Sequence, residues 1–413
     1  MDENRYAVGI DLGTKSAKVV IASIHSGEES GSSGLTIVGV GERLTTGMRK
    51  GAVVDITRVS EALDGALSDA ERMSGQRVEN ATVAINGSHI AGVNSRGVVA
   101  VNGSHQIIGS EEVDRVIDAA TIVKLALNRK ILDVKPRSFT VDNQEGVRDP
   151  IEMTGVRLEV DAYVITALTP HIKNVDQVIE KNTITNHGEY VPACLASSRL
   201  ALSEQQKENG AVAIDIGYAT TSMVVYEEGD IIDIKVLPVG SNNITTDLAI
   251  GLKTDLDIAE QVKLQHAVAA PELRRGKDEI LSVKIGDRKL NFDTATVDEI
   301  VEARLGELFD MINKELRQIK KQANLPGGAV ITGGGAKLRG MADYAKAVLS
   351  MNTSIFTPKS YKGVTDQVND SAWTTALGLV ELDAEFNSSN IDPSRKSSGG
   401  FMAWVASLFN RKK

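Results

Sequence analysis

Residues 6–16 read Tyr-Ala-Val-Gly-Ile-Asp-Leu-Gly-Thr-Lys-Ser, a short apolar strand that runs into a polar turn containing glycine. A second apolar segment, 17–24, follows directly, and two adjacent strands joined by such a turn are typical of a β-hairpin. Residues 35–42 predict a third strand, and the apolar spacing in 58–73 predicts a helix. The chain therefore begins with an α/β unit built on a hairpin.

The opening pattern returns in the second half of the chain. Residues 212–217, Val-Ala-Ile-Asp-Ile-Gly, are similar to residues 8–13, Val-Gly-Ile-Asp-Leu-Gly, so that Asp11 and Asp215 lie 204 positions apart (215 − 11). A turn containing threonine and a β-branched strand follow each motif. We interpret the pair as an internal duplication at domain scale, since 413 residues suit two lobes with a core in each.

Both turns have the chemistry of a phosphate clamp. A tight hairpin turn directs backbone N–H groups at one point, and a glycine without a Cβ lets a phosphate approach closely. Asp11 and Asp215, at the strand ends, are candidates for positioning Mg²⁺ or water, because Mg²⁺ keeps several waters and takes few carboxylates. The predicted phosphate-binding residues are Gly13, Thr14, Lys15 and Ser16 in the first turn and Gly217, Tyr218, Ala219 and Thr220 in the second.

A third segment, 330–338, reads Val-Ile-Thr-Gly-Gly-Gly-Ala-Lys-Leu and predicts a buried strand, a glycine loop and a helix. Gly333, Gly334 and Gly335 let the backbone lie against a base or a ribose, and Lys337 follows them. Each segment alone is a weak signal, since a lone turn or glycine triplet is usually structural. Together they predict a nucleotide cleft between two lobes. The sequence has neither a P-loop motif nor a dinucleotide-binding Gly-x-Gly-x-x-Gly motif.

The composition argues against several classes of function. A net charge of −9 argues against general nucleic-acid binding, which needs a basic surface. A single cysteine, Cys194, forms no internal disulfide and no metal site with several thiolates, as expected in a reducing cytoplasm. The polar first residues predict no signal peptide. No apolar stretch reaches the ~18 residues that a membrane-spanning helix requires.

The paired turns and the glycine loop resemble those of the superfamily of actin, sugar kinases and heat-shock chaperones. Within it, the sequence resembles the FtsA family along nearly its whole length, with similar segments at 47–55, 149–160, 259–263 and 374–379. The resemblance implies an α/β fold in which an actin-like, ribonuclease H-like unit is duplicated. Two lobes would then enclose a nucleotide cleft and carry inserted subdomains.

The resemblance also divides the chain. Residues 84–163 form an inserted unit that is similar to the subdomain by which FtsA differs from actin. Within it, Glu152 stands where the family often has glycine. The predicted boundaries are 1–83 for the lobe 1 core (1A), 84–163 for the inserted subdomain (1C), 164–203 for the rest of the lobe 1 core, 204–226 for the lobe 2 core (2A), 227–300 for subdomain 2B, 301–360 for the rest of the lobe 2 core, 361–385 for the return to lobe 1, 386–400 for a flexible linker and 401–413 for an amphipathic helix.

Ligand contacts follow from the same resemblance. ATP and Mg²⁺ are the implied ligands, with Glu260 at the ribose and Lys263 near the base. This chain reads Gly-Thr-Lys-Ser where FtsA chains commonly read Gly-Thr-Ser-Lys, which leaves open whether Lys15 or Lys18 contacts phosphate. At 192–194, where relatives with fast hydrolysis place a glutamine or glutamate, it has no acid or amide. The sequence therefore predicts at most a slow ATPase.

The C-terminal segment predicts a membrane anchor. Residues 386–400 are rich in Ser, Asn, Asp, Pro and Gly, which is typical of a flexible linker. In 401–413, at about 100° per residue, the apolar side chains fall on one face and a basic cluster follows, which indicates a helix lying in a membrane interface. The alternative is a terminal helix docked on the core. The predicted contacts with anionic lipid are Phe401, Met402, Trp404, Val405, Leu408, Phe409, Arg411, Lys412 and Lys413.

The resemblance implies an assembly protein of bacterial cell division. Such a protein would bind ATP and polymerise into filaments on the inner face of the cytoplasmic membrane. It would tether the FtsZ ring through the C-terminal peptide of FtsZ and recruit later division proteins. Subdomain 227–300 would dock FtsZ, and the Arg304 region resembles the family's docking surface, although an arginine on a helix is more often simply solvated. The alternatives are a pilus-assembly actin-like ATPase, a metabolic kinase of the same superfamily and a chaperone ATPase.

Overall fold

The computed structural model describes residues 5–25, 34–102, 106–122, 125–184, 190–273, 280–285, 288–358 and 361–389. The strands are β1 (Arg5–Leu12), β2 (Ser16–Ile24), β3 (Leu35–Leu44), β4 (Met48–Arg49), β5 (Ala52–Val53), β6 (Thr82–Ile85), β7 (Ala91–Ala100), β8 (Arg129–Val141), β9 (Gln144–Val147), β10 (Arg157–Leu168), β11 (Tyr190–Pro192), β12 (Ala211–Ile216), β13 (Thr221–Glu227), β14 (Asp230–Leu237), β15 (Ile280–Ile285), β16 (Arg288–Asp293), β17 (Gly328–Thr332), β18 (Thr353–Ile355) and β19 (Lys362–Gly363).

The α-helices are α1 (Ile56–Ser74), α2 (Ser110–Thr121), α3 (Thr169–Lys181), α4 (Ala193–Ala201), α5 (Glu204–Asn209), α6 (Ser241–Gly251), α7 (Leu256–His266), α8 (Thr294–Gln318), α9 (Met341–Leu349) and α10 (Thr374–Ser389). Short 3-10 turns occur at Pro271–Leu273, Gly334–Lys337 and Ser371–Trp373.

Lobe 1 is built on a six-stranded sheet with the order β11-β6-β1-β2-β3-β19. Strands β1, β2 and β3 are antiparallel neighbours, whereas β6 lies parallel to β1 and β11 lies parallel to β6. Alternate residues of β1 belong to different cores: Ile10 packs with α1 and α3 on one face, and Ala7 packs with α10 on the other. Helices cover both faces, which is why the central strands are almost wholly apolar.

Lobe 2 repeats this arrangement. Its five-stranded sheet has the order β14-β13-β12-β17-β18, in which β12, β13 and β14 are antiparallel while β17 and β18 continue the sheet in parallel. Strand for strand, this is the order β3-β2-β1-β6-β11 of lobe 1. The topology confirms the internal duplication that the sequence predicted. The turns after β1 and after β12 consequently occupy the same place in the two lobes.

The main core of lobe 2 lies between its sheet and helices α6 to α9. The longest helix, α8, begins after Asp293, whose carboxylate accepts a hydrogen bond from Thr296 N at 2.8 Å and so caps the N-terminus. The sequence predicts a long helix that residues 326–328, Pro-Gly-Gly, would stop, but α8 already ends at Gln318, and Lys320 then takes a left-handed φ of +60°. The sequence also predicts a helix near 256–266 and a strand pair around 286–287, and α7 and the β15–β16 pair confirm both.

A separate four-stranded sheet, β7-β10-β8-β9, follows β6 in the chain and packs against α2. The sequence of the inserted unit predicts a helix over 111–126, but α2 ends at Thr121. The apolar face that packs on the sheet ends with Ala120, and Ile122 is exposed. Glu152, at the departure from the family pattern, has a φ of +68°, the left-handed region that favours glycine.

This inserted sheet also contacts lobe 2. The guanidinium of Arg137 on β8 donates to the carbonyl oxygens of Ile231 and Ile232 on β14, at 2.8 and 3.0 Å. The hydroxyl of Tyr163 on β10 donates to the carboxylate of Asp233 at 3.0 Å. The insert is therefore held on both lobes, by the chain to lobe 1 and by side chains to lobe 2.

The C-terminal helix α10 returns the chain to lobe 1. The carboxylate of Asp383 accepts hydrogen bonds from Val8 N and from the hydroxyl of Thr82, at 2.9 and 2.8 Å. The predicted linker begins at residue 386, but the helix continues to Ser389 because the Asn387 amide donates to Tyr6 O and to Asp383. The rest of the predicted linker, from 390, and the predicted membrane helix 401–413 lie outside the described residues.

Across the described part of the chain, no helix has both the length and the apolar character to cross a membrane. The subdomain boundaries proposed from the sequence stay predictions.

Candidate functional site

The two hairpin turns have nearly the same backbone geometry. Gly13 N donates to Ser16 O at 3.1 Å, and Gly217 N donates to Thr220 O at 2.9 Å. A Cβ at Gly13 would lie 2.9 Å from Ser16 O, and a Cβ at Gly217 would lie 3.0 Å from Thr220 O. Both turns face one cavity of about 730 Å³ between the lobes, a size within the range of small-molecule sites.

The cavity brings the predicted site residues together from three parts of the sequence. Of the residues predicted to position Mg²⁺ or to bind nucleotide, Ala219 alone is absent from its lining. The predicted residues in the lining are Asp11, Gly13, Thr14, Lys15, Ser16, Asp215, Gly217, Tyr218, Thr220, Glu260, Lys263, Gly333, Gly334, Gly335 and Lys337. Their individual roles stay predictions.

Two carboxylates face each other where the turns converge. Desolvation raises the pKa of Asp11 to about 6; the neighbouring Lys18 opposes that shift, and the charges of Asp215 and Glu42 add to it. Desolvation also raises the pKa of Asp215, against the hydrogen bond that its carboxylate accepts from Thr375 at 3.1 Å. Both groups are held at a cost in free energy that a cation would relieve.

The two lysines of the first turn lie in different surroundings. Lys18 Nζ is mostly buried, donates to Ala372 O at 2.8 Å and lies 5.4 Å from the centre of the Trp373 ring. Lys15 is exposed, and its Nζ lies 5.9 Å from the ring centre of Tyr218 on the opposite turn. Lys18 is therefore the lysine beside the carboxylates, and Lys15 reaches across the cleft.

The glycine loop is shaped by its contacts with the second turn. Gly333 has a φ of +85°, and a Cβ there would lie 2.2 Å from Asp215 Oδ1, so only glycine fits. Gly333 N donates to Ser371 O at 3.2 Å, and the Ser371 hydroxyl donates back to Gly333 O at 3.0 Å. The predicted helix after the glycines is instead a 3-10 turn that ends at Lys337, and α9 begins only at Met341.

Two further ion pairs line the cavity. Lys263 Nζ lies 2.6 Å from the Glu260 carboxylate and donates to the Thr245 hydroxyl at 2.8 Å. Burial lowers the pKa of Lys263. Lys337 Nζ donates to Asp370 Oδ2 at 2.6 Å. In each pair the lysine is matched by a carboxylate.

Sequence reasoning missed several lining residues, among them Glu42, Asn86 and Thr375. Asn86 follows β6, and its amide donates to the Thr220 hydroxyl at 3.3 Å, which joins the lobes. The sequence holds a signal for Asn86, because the ends of the parallel strands β1 and β6 meet at one edge of a sheet. Glu42 and Thr375 carry no local signal, since their place depends on strand register and on the packing of α10.

The described residues hold no group of three or more His, Cys, Asp or Glu side chains arranged to bind a metal. Asp11 and Asp215 fit a different kind of site, in which Mg²⁺ is held mostly by water and by the phosphates of a ligand. Beside Lys18 there are more carboxylates than cations, and a Mg²⁺ ion would offset that excess negative charge.

Two lobes of the same topology that meet at one cleft define the actin-like class of folds. The PilM-PilN type IV pilus biogenesis complex aligns with a TM-score of 0.65 at 17% identity, over 93% of this chain and 100% of that chain. The crystal structure of MreB5 of Spiroplasma citri bound to ADP aligns with a TM-score of 0.56 at 12% identity, over 94% and 99%. At such low identity, these similarities show the fold.

Sequence comparison identifies the family within that class. A family model described as "Cell division protein FtsA" matches residues 212–378, and one described as "SHS2 domain inserted in FTSA" matches 87–166. FtsA of Pseudomonas aeruginosa is 32% identical over 381 residues, 92% of this chain and 89% of that protein. FtsA of Bacillus subtilis is 35% identical over 387 residues, 92% and 84%. The chain belongs to the FtsA family of cell division proteins.

Arg304 is more constrained than a solvated arginine would be. Its side chain is 22% exposed, donates twice to the Asp247 carboxylate and donates once to Glu307. These contacts lie within the chain, and the docking role of this region stays a prediction.

Proposed function

We propose that this chain is an ATP-binding, actin-like cell division protein that polymerises on the inner face of the cytoplasmic membrane and tethers the FtsZ ring to it. The observation that carries the ATP site is the single cavity in which both hairpin turns and the glycine loop meet. Membership of the FtsA family supports the cellular role. The finer steps, from filament formation to recruitment of later division proteins, are part of the proposal.

The residues present fit a nucleotide with Mg²⁺. Backbone N–H groups of the two turns would hold phosphates from both sides, and Lys18 would add a cation. Glu260 and Lys263 would lie toward the ribose and base. Gly333 would form the wall against which the ribose or the base lies. When bound, Mg²⁺ would neutralise the phosphates and relieve the paired carboxylates at the strand ends.

Two glycine substitutions test the ATP site. Gly333→Ala places a methyl group against the Asp215 carboxylate, so ATP affinity, measured by calorimetry in Mg²⁺ on the full chain, should fall by about tenfold or more. Gly75→Ala is the matched control: its φ is +69°, but nothing lies within 4 Å of the added Cβ and it lies outside the cleft. Equal affinity of both variants and the parent chain would contradict the proposed site.

Hydrolysis should be slow. Ala193 lines the cavity at the start of α4, and the adjoining Cys194 is buried, so this segment has no carboxylate or amide to orient water. Turnover of ATP by the full chain should stay below about one per second, a low rate for an enzyme. Faster turnover would mean that another group activates water.

The C-terminal anchor has its own test. The apolar face of 401–413 favours partial insertion, and each basic residue near an anionic surface adds about 1 kcal/mol. The full chain should co-sediment with vesicles of anionic lipid, and the chain without 399–413 should not. Trp404→Glu should also release the protein while changing only one residue. Unchanged sedimentation of the truncated chain would refute the anchor.

Assembly and the partner are tested together. Electron microscopy of the full chain with ATP on a lipid monolayer should show filaments. A peptide with the C-terminal sequence of FtsZ should bind the chain, and substitutions on the exposed surface of 227–300 should weaken that binding. Absence of both filaments and peptide binding would leave the family membership intact and remove the proposed role.

A further inference from the structure

A row of three charged residues crosses the sheet of lobe 1 beside the cleft. In the strand register, Asp11 of β1 lies opposite Lys18 of β2, and Lys18 lies opposite Glu42 of β3. Residues that are directly opposite on neighbouring strands point to the same face of a sheet. The row therefore places a carboxylate on each side of the Lys18 ammonium, and all three side chains line the cavity.

Glu42 is held in this row by two contacts. Its Oε1 accepts a hydrogen bond from the Ser16 hydroxyl at 2.6 Å and lies 3.9 Å from Lys18 Nζ. The Glu42 side chain is 43% exposed, whereas that of Lys18 is 12% exposed. The Glu42 carboxylate thus lies at the exposed end of the row and lines the cavity beside the first turn.

Lobe 2 lacks this charge. The corresponding row runs from Asp215 of β12 to Ser222 of β13 and Val236 of β14. Val236 stands where Glu42 stands in lobe 1, and it is buried. Glu42 is therefore an addition to the duplicated scaffold and not one of its shared parts.

The charges near the two turns do not favour a bare polyanion. Elsewhere in the lining, Lys263 pairs with Glu260 and Lys337 pairs with Asp370, so these charges offset each other. Near the turns, the two cations Lys15 and Lys18 face the three carboxylates of Asp11, Glu42 and Asp215. The end of the cavity that would receive phosphates therefore has more negative than positive side chains.

We propose that Glu42 is a specificity-determining residue of the cleft, which makes nucleotide binding depend on a divalent cation. The inference rests on the proposed ATP site. The Glu42 carboxylate repels a triphosphate that arrives alone and draws Lys18 away from it. A triphosphate that arrives with a divalent cation is less negative, and the cation is attracted to the same carboxylates.

Substitution of Glu42 by an uncharged residue tests the role. The dissociation constant for ATP is measured by calorimetry on the full chain, once with excess Mg²⁺ and once with EDTA. The ratio is the dissociation constant in EDTA divided by that in Mg²⁺. In Glu42→Gln this ratio should shrink by about tenfold, chiefly because ATP binds more tightly in EDTA. The reason is that a unit charge a few ångströms away acts more strongly on the bare anion. The amide oxygen of Gln still accepts the hydrogen bond from Ser16, so the turn keeps its shape.

Two further variants separate charge from structure. Glu42→Ala removes the charge and the hydrogen bond together, and it should change the ratio as much as Glu42→Gln does. Glu61→Gln removes the same charge from the exposed face of α1, outside the cavity, and should leave the ratio unchanged. Thermal unfolding of each variant shows whether it is folded.

The outcomes are distinct. A ratio for Glu42→Gln within about twofold of that of the parent chain would overturn the inference, because an exposed charge without a role changes little. A change in Glu42→Ala alone would assign the effect to the Ser16 hydrogen bond and would also overturn it. A parent chain that binds ATP neither with Mg²⁺ nor with EDTA would instead remove the proposed function.

Discussion

The turn after β1 and the turn after β12 share a backbone but differ in charge. In both, a glycine N–H donates to a carbonyl oxygen three residues later, at 3.1 and 2.9 Å, and a strand-end aspartate faces the cavity. In lobe 1 the flanking strands carry Lys18 and Glu42, whereas the same places in lobe 2 hold Ser222 and Val236. The two lobes therefore share the geometry of the turn, whereas the lysine and the glutamate beside it belong to lobe 1 alone.

This difference gives the backbone donors and the charged side chains different roles. Backbone donors from both lobes would clamp a phosphate chain, and such donors depend only on the turn. Under the proposed function, the lysine and the glutamate that would decide which anion is held, and with which cation, lie on lobe 1. Substitutions at charged positions should consequently act unequally on the two turns, while substitutions at the shared glycines should act equally.

The largest expected difference lies between the two lysines of lobe 1. Lys18→Met removes a cation that is mostly buried beside the carboxylates and should weaken ATP binding in Mg²⁺ by about 10- to 100-fold. Lys15→Met removes an exposed cation that contacts the Tyr218 ring, and should cost about threefold or less. Calorimetry on both variants measures the pair. A larger loss in Lys15→Met would reverse the assignment of the phosphate lysine.

The next effect concerns the stability of the ligand-free protein. The pKa of Asp11 is raised from 3.8 to about 6, so the folded state binds more protons than the unfolded state between these values, and stability falls as pH rises through them. Asp11→Asn has no charge to desolvate. It should be more stable than the parent chain by about 2 kcal/mol at pH 8, with no difference below about pH 4.

Asp215→Asn is the matched change in lobe 2. Its pKa is also raised by desolvation, but the Thr375 hydroxyl donates to the carboxylate and favours the ionised form. The gain in stability at pH 8 should therefore have the same sign as that of Asp11→Asn, reduced by the loss of this hydrogen bond to the ionised form. Chemical unfolding at pH 4 and pH 8 measures both variants. A loss of stability in Asp11→Asn at pH 8 would show that the carboxylate is not strained.

The smallest expected effect is a loss of stability that should be equal in the two turns. Gly13→Ala and Gly217→Ala each place a Cβ at 2.9 or 3.0 Å from a carbonyl oxygen. Each should cost about 1 kcal/mol in stability, because the turn must open slightly. The two costs should agree within about 0.5 kcal/mol, the usual error of independent sites. A clear difference, measured by thermal unfolding, would show that the turns are not equivalent.

Much of the scaffold was predictable because its signals are local. The apolar runs at 6–10 and 17–24, joined by a turn that contains glycine, placed the first hairpin, and the repeat at 212–217 placed the second. Helix ends were less predictable: α2 ends at Thr121 because its packing face ends there, and α10 passes residue 386 because Asn387 finds partners on β1 and within its own helix. Such limits depend on neighbours that are distant in the chain.

The candidate site divides in the same way. The glycines and aspartates of the turns were predictable, because a residue without a Cβ and a carboxylate at a strand end have a meaning of their own. The choice between Lys15 and Lys18 was not, since both follow the same turn. The sheet register places Lys18 between Asp11 and Glu42, and which of the two lysines contacts phosphate stays a prediction.

The sequence by itself determined the duplicated α/β lobes, the two phosphate turns and the glycine loop, because each is encoded by residues adjacent in the chain. Only the tertiary structure decided that Gly333 touches Asp215, that Asn86 joins the lobes and that Glu42 flanks Lys18. These pairs are separated by between 24 (42 − 18) and 134 (220 − 86) positions, and strand register and lobe packing bring them together. Side chains that meet in this way take their surroundings from residues distant in the chain, which no local pattern contains.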